Sequence, residues 1–239
     1  VYVVPWGRHW IVGSTATASE PAQVLARLND HLTRPLSEDD VESSYASRVP
    51  AGAAAGGPPI RTPVPGLVVV RGSGLAGYRI SAERAVDAVT SQVGGLWPPS
   101  TTRRVPLQGA DGFTARWNQR HLLARRAGLP VLRVEHLLQR YGSDAEVLIA
   151  AIQGEPELAR PVPGAGDYLR AEVWFAVAHE DATQLDDVLV RRTRIAMETS
   201  DGGAAAAEDV ARLMAAELGW NADETTRQVA DYLRDVADR

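Results

Sequence analysis

The chain has 239 residues, 45% of them hydrophobic, which is enough to bury a sizeable core as one large domain or two smaller ones. Cysteine is absent, so disulfides, thiolate catalysis and cysteine-ligated zinc are excluded; all 25 basic residues are arginine, so a Schiff-base or phosphate-gripping lysine is excluded too. A net charge of −5, with arginines interleaved among carboxylates, leaves no basic stripe for nucleic acid.

Taken in chain order, Val1 to Pro5 and His9 to Val12 are β-branched and aromatic runs around a turn at Gly7, the pattern of a hairpin. Ala22 to Leu32 has helical spacing and stops before Pro35. Residues 50–66, PAGAAAGGPPIRTPVPG, are glycine, alanine and proline for the most part and read as a loop. Leu67 to Arg71 is a short apolar strand, and Ser81 to Val93 a helix with Val86, Val89 and Val93 on one face and Ser81 as N-cap. After GGLWPPS the composition changes, and only helical patterns follow from Asp111 onward. Val131, Val134, Leu138 and Tyr141 share a face, as do Leu169, Val173, Ala176 and Val177, and also Val229, Tyr232, Leu233 and Val236. Asn221 with Glu224 three residues on introduces the last of these helices as a capping box.

The expected architecture is therefore an α/β part, residues 1–97, followed by an all-α part, residues 98–239, with the boundary near Trp97 to Pro106. No apolar run approaches the roughly 20 residues of a membrane span, and the N-terminus does not read as a secretion signal. The expectation is a cytoplasmic protein, with any contact to the inner face of a membrane made through partners. The chain opens inside a strand-like run without an initiator methionine, so a piece of something longer is expected.

Between Leu67 and Val89 a strand runs through Gly72, Ser73, Gly74 and Gly77 into a helix. Such a turn lets backbone N–H groups approach a phosphate or flavin at a helix N-terminus, but a tight strand-to-helix connection needs glycine without any ligand. Arg48 and Arg61 flank the neighbouring loop and carry guanidinium groups suited to bidentate phosphate contacts. His179, Glu180, Asp181, Asp186 and Asp187 invite a metal reading, yet no second histidine stands at the i, i+4 spacing a zinc helix needs, and a solvated helix end is the better account. Arg191, Arg192 and Arg194 are expected in ion pairs with the carboxylates just upstream.

Several segments together resemble the C-terminal half of the FAD-dependent, quinone-linked glycerol-3-phosphate dehydrogenases. LRAEVWFAVAHEDATQLDDVLVRRTRI, Leu169 to Ile195, is similar to that family's helical-domain signature; PWGRHWIVGSTAT, RRVPLQGADGF, LLQRYGSDAEVL and AAEDVARLMAAELGW follow the family's order and spacing. The resemblance implies oxidation of sn-glycerol 3-phosphate to dihydroxyacetone phosphate, with FAD as cofactor, quinone as acceptor, and an N-terminal FAD domain upstream of Val1. It implies Thr15, Gly72, Ser73, Gly74 and Gly77 on the cofactor side and Arg48 and Arg61 on the substrate side, with no catalytic base in this chain.

The sequence departs from the family at the contact positions. The family's glycine-glycine-lysine and two threonines become GSGLAGYR, placing the lysine at Gly74 and the threonines at Ala76 and Gly77. GTTDT becomes GSTAT, with Ala16 in the aspartate's place, and GLRP becomes ASRVP, with Arg48 one place out of register. These changes imply a diverged relative, inactive by itself. The alternative is a non-catalytic helical interaction module or pseudoenzyme remnant. A first part lacking the strands it should pair with is expected to be the less stable half.

Overall fold

The computed structural model describes residues 1–7, 9–14, 20–45, 60–71 and 75–237. They form two compact units, one of Val1–Tyr45 together with Gly112–Arg239, the other Ala46–Asp111.

The first unit begins with the expected hairpin, β1 (Tyr2–Trp6) and β2 (His9–Gly13), antiparallel with Trp6 opposite His9. Gly7 takes φ +60°, a left-handed conformation that glycine adopts without steric cost. Helix α1 (Pro21–Asn29) follows, with proline in its first turn, where a missing N–H costs nothing.

The second unit contains a hairpin, β3 (Ile60–Val64) and β4 (Leu67–Val70), and helix α2 (Tyr78–Val93). Residues 60–64 were expected in a loop. They pair because Gly66, at φ +82°, closes a two-residue turn with Pro65, and the ladder shifts register between Arg61 and Val64, where Pro63 has no N–H to donate. Residues 50–59 of that loop lie outside the described residues. Ser81 is not the cap of α2: a short 3₁₀ turn, Leu75–Gly77, runs straight into the helix and starts it at Tyr78. The Gly66 N–H donates to Gln92 Oε1 at 2.7 Å, tying hairpin to helix. Among the described residues of this unit none is buried, and Val86, Val89 and Val93 are 60, 46 and 68% exposed.

The rest of the first unit is helical: α3 (Phe113–Asn118), α4 (Arg120–Ala127), α5 (Val131–Tyr141) and α6 (Ala145–Gly154). After them come a hairpin of β5 (Pro161–Val162) and β6 (Ala165–Leu169), α7 (Arg170–Glu180), a π-helical turn over Asp187–Arg192, α8 (Ile195–Glu198), α9 (Ala207–Leu218) and α10 (Ala222–Ala237). The β5–β6 hairpin corrects the expectation of helices alone beyond Asp111. It is very short, and its Pro163–Gly164 turn, with Gly164 at φ +74°, looks like loop in sequence. The α/β beginning and all-α remainder otherwise have the expected character.

Helix α7 packs two ways. Val173 and Ala176 face a cluster with Val188, Ile195, Val210 and Met214, while Ala171 and Phe175 face one with Val134, Leu138, Leu148 and Ile149. A helix apolar on nearly every side is a central helix, which is how α7 reads here. The predicted faces of α5 and α7 are the ones buried, through Val134, Leu138, Val173 and Ala176. At α10, Asn221 Oδ1 accepts the Glu224 N–H at 2.8 Å, the first half of the expected capping box. The Glu224 carboxylate turns away to Arg227 and Gln228. No helix among the described residues is long and apolar enough to cross a membrane.

Candidate functional site

Of the residues expected to bind cofactor or substrate, Thr15, Arg48, Gly72, Ser73 and Gly74 lie outside the described residues. Gly77 is the N-cap of α2 and supplies no side-chain bond, so the first amides of that helix have no side-chain acceptor at their cap. Arg61 sits in β3 opposite Val69 and is exposed. Arg79 is held by Glu83, at 2.6 Å, and by the Thr102 hydroxyl.

The His179 region builds no metal site. The His179 ring stacks on Phe175 at 4.8 Å and meets Trp174 edge-on, and Asp187 Oδ2 accepts the Thr183 and Gln184 N–H groups. Among the described residues no group of three or more potential ligands converges. The expected ion pairing holds for Arg191, which reaches Asp186 at 2.7 Å and Asp187 at 2.8 Å.

Sequence reasoning missed a fully buried charged group, Glu172. Its Oε1 accepts the Leu169 N–H at 2.9 Å, closing the α7 N-terminus; its Oε2 accepts the Tyr141 hydroxyl at 3.0 Å and lies 3.3 Å from both Arg140 Nε and His136 Nε2. Burial pushes the Tyr141 hydroxyl well above the usual phenol range, and the Glu172 carboxylate adds to it. Burial raises Tyr168 in the same way. The available signal was a glutamate at the third position of α7, directly before the apolar run Val173 to Ala178.

Arg140 extends this network outward. Its guanidinium lies over the Tyr168 ring at 5.1 Å and donates to the Arg192 carbonyl at 2.9 Å. Tyr168 donates to Glu198 Oε2 at 2.8 Å, and Trp6 Nε1 donates to Glu198 Oε1 at 3.3 Å. Arg194 stacks over the Trp6 ring, with Cζ 4.0 Å from its centroid. These contacts surround an open cleft of about 460 Å³. The π-helical turn forms one wall: its wider spiral leaves the Thr193 N–H bonded to the Val188 carbonyl five residues back, and Arg191, Arg192 and Arg194 all line the cleft.

With this geometry in hand, comparison with known proteins is informative. Residues 100–225 match the family model described as the C-terminal domain of alpha-glycerophosphate oxidase. A glycerol-3-phosphate dehydrogenase of Mycobacterium leprae is 35% identical over 97% of this chain and 43% of its own length. Glycerol-3-phosphate dehydrogenase 2 of Mycobacterium tuberculosis is 35% identical over 99% of this chain and 44% of its own. Among solved structures, the glycerol-3-phosphate dehydrogenase from Bacillus halodurans complexed with FAD superposes with a TM-score of 0.71 at 26% identity, over 95% of this chain and 47% of that one. The chain thus spans less than half the length of the relatives it matches.

Proposed function

The chain belongs to the family that carries the C-terminal domain of alpha-glycerophosphate oxidase, and from this we propose that it is the C-terminal part of an FAD-dependent oxidation of sn-glycerol 3-phosphate to dihydroxyacetone phosphate. The observation that carries the proposal is the match along nearly the whole chain to proteins named glycerol-3-phosphate dehydrogenase. In this reading the chain works only with a flavin-binding portion that it does not itself supply, and quinone takes the electrons. The division into a residual oxidoreductase part, 1–97, and a helical part, 98–239, belongs to the same proposal; the start of the family match at residue 100 supports it.

In this reading the residues present form part of a flavin site. The α2 N-terminus, capped by Gly77 without a side chain, presents backbone N–H groups of the kind that hold phosphate. A chain without lysine has no counterpart of the family's lysine contact. FAD supplies hydride acceptance when bound; this chain's share is to hold and orient, with Thr15, Gly72, Ser73, Gly74 and Gly77 toward the cofactor and Arg48 and Arg61 toward the substrate phosphate.

The exposed valines of α2 and β4 support the missing portion, since a two-stranded hairpin and one helix bury too little to stand alone. The second reading, a non-catalytic helical module, is favoured by the substitutions at Ala16, Gly74, Ala76 and Gly77. One titration separates them. FAD fluorescence is followed with the chain alone and with the N-terminal half of the Mycobacterium leprae relative added, and quinone reduction by glycerol 3-phosphate is assayed in the mixture. The oxidoreductase reading expects saturable binding and turnover only in the mixture. Neither binding nor turnover there leaves the module reading.

A further inference from the structure

The backbone of the β1–β2 hairpin is not the same on its two outer edges. Trp6 and His9 stand opposite each other across a two-residue connection, and the register runs without interruption to Tyr2 opposite Gly13. A two-residue hairpin closes on a hydrogen-bonded pair, and such pairs alternate with non-bonded ones along an antiparallel ladder. Trp6–His9, Val4–Ile11 and Tyr2–Gly13 are therefore the bonded pairs, while Val3, Pro5, Trp10 and Val12 turn their backbone groups outward. Pro5 fits this assignment, since it has no N–H to give the ladder. The outer edge of β1 is left with the Val3 N–H as its donor. The outer edge of β2 has two, Trp10 and Val12, and neither N–H has an acceptor among the described residues.

The side chains add a second observation. Tyr2 and Val4 share one face of the hairpin, Val3 and Trp10 the other, and all four are exposed. A hairpin on a protein surface has one polar face, whereas strands apolar on both faces belong inside a wider sheet that is covered on both sides. We propose that the outer edge of β2 takes an added strand from the flavin-binding portion. The inference rests on the oxidoreductase reading for its partner and adds the edge that receives it. Main-chain bonds to Trp10 and Val12 would hold the strand, and apolar residues on both its faces would continue those of the hairpin. The matched relatives keep more than half their length outside the stretch shared with this chain, enough for a strand and for covering layers. A second copy of the chain offers its own β2 edge but no cover for either face, and two five-residue strands bury far less than the roughly 1,200 Å² of a stable interface.

The test co-expresses and co-purifies the full chain with the N-terminal half of the Mycobacterium leprae relative, and compares amide hydrogen exchange by nuclear magnetic resonance with that of the chain alone. Exchange at Trp10 and Val12 should slow by more than about tenfold in the complex, with Val3 little changed. Val12→Pro removes an outward donor and no bond within the hairpin, so it should weaken association about tenfold, read by sedimentation on dilution, whereas Val3→Pro should not. Circular dichroism melts check that both variants fold, and the exchange comparison needs neither. A complex that reduces quinone with glycerol 3-phosphate while Trp10 and Val12 exchange freely, or while Val12→Pro changes nothing, overturns the inference and leaves the oxidoreductase reading standing. No complex at all removes both. Protection of the two amides in the chain alone, rising with its concentration, gives the edge to a second copy and overturns the inference as well.

Discussion

Replacing Glu172 with alanine tests the polar centre of the helical unit most directly. The glutamate side chain is fully buried and that of Arg140 is only 12% exposed, so truncating the carboxylate leaves a guanidinium with little water to fall back on. Losing one partner of a buried ion pair costs about 3–5 kcal/mol. The Leu169 N–H and the Tyr141 hydroxyl also lose their acceptor, so the effect should fall toward the upper end of that range. Glu172→Gln removes the charge but keeps one carbonyl oxygen, an acceptor for the Leu169 N–H with the amide NH2 turned to the Tyr141 hydroxyl oxygen, and should cost less than the alanine. Adding Arg140→Met to Glu172→Ala removes the stranded cation and should recover part of the loss, because apolar replacement of both partners is commonly tolerated. Urea unfolding followed by far-ultraviolet circular dichroism gives all three values. A Glu172→Ala cost below about 1 kcal/mol, or a double variant no more stable than Glu172→Ala, would refute the reasoning.

Three further outcomes follow from the same structure. Burial raises Tyr141 and Tyr168 above the usual phenol value, so the folded state keeps protons that the unfolded chain gives up near pH 10; stability is therefore full below about pH 10 and falls as the pH rises beyond it. Tyr141 contributes a slope of about 1.4 kcal/mol per pH unit, and tyrosinate absorbance should show both residues silent until the chain unfolds; early, independent titration of either would contradict this. Gly164→Ala should cost more than about 2 kcal/mol in thermal unfolding, because the new Cβ would meet Ala205 Cβ at 2.6 Å and its backbone carbon at 3.1 Å, from a φ of +74°; a neutral outcome would mean the β5–β6 turn relaxes freely. Limited proteolysis should cut first within 60–111, where no described residue is buried, and early cleavage between Leu123 and Tyr232 with 60–111 intact would count against that.

What the sequence made legible is what repeats along it. The faces of α5 and α7 recur every three to four residues, and the Asn221 cap sits next to the helix it starts, so each is visible in a short window. The β1–β2 hairpin shows because both strands are runs of β-branched and aromatic residues. The β3–β4 and β5–β6 hairpins are hidden by their own turns: Pro65–Gly66 and Pro163–Gly164 close them in two residues, and proline beside glycine in a short stretch looks like loop. The Glu172 network is illegible for another reason. Its partners His136 and Tyr141 are 36 and 31 residues away, and no local pattern encodes a contact at that distance. The family was nevertheless readable, because segments such as Leu169 to Ile195 retain their order and spacing although residues at the expected cofactor contacts differ.

The same network explains why a hairpin at the start of the chain belongs to one compact unit with helices more than a hundred residues later. Hydrophobic burial is only part of it: Tyr2, Val3, Val4 and Trp10 are 49, 44, 43 and 64% exposed, while Trp6, Ile11 and Val12 are half-buried. The attachment runs through polar and aromatic contacts, Arg194 over Trp6 and Trp6 to Glu198, and continues through Tyr168 and Arg140 to Glu172 at the heart of the unit. Each link is a directional contact whose worth depends on its neighbours being in place, so the hairpin is positioned by the helical core rather than adding to it. A strand pair held in this manner keeps its apolar faces available for other elements.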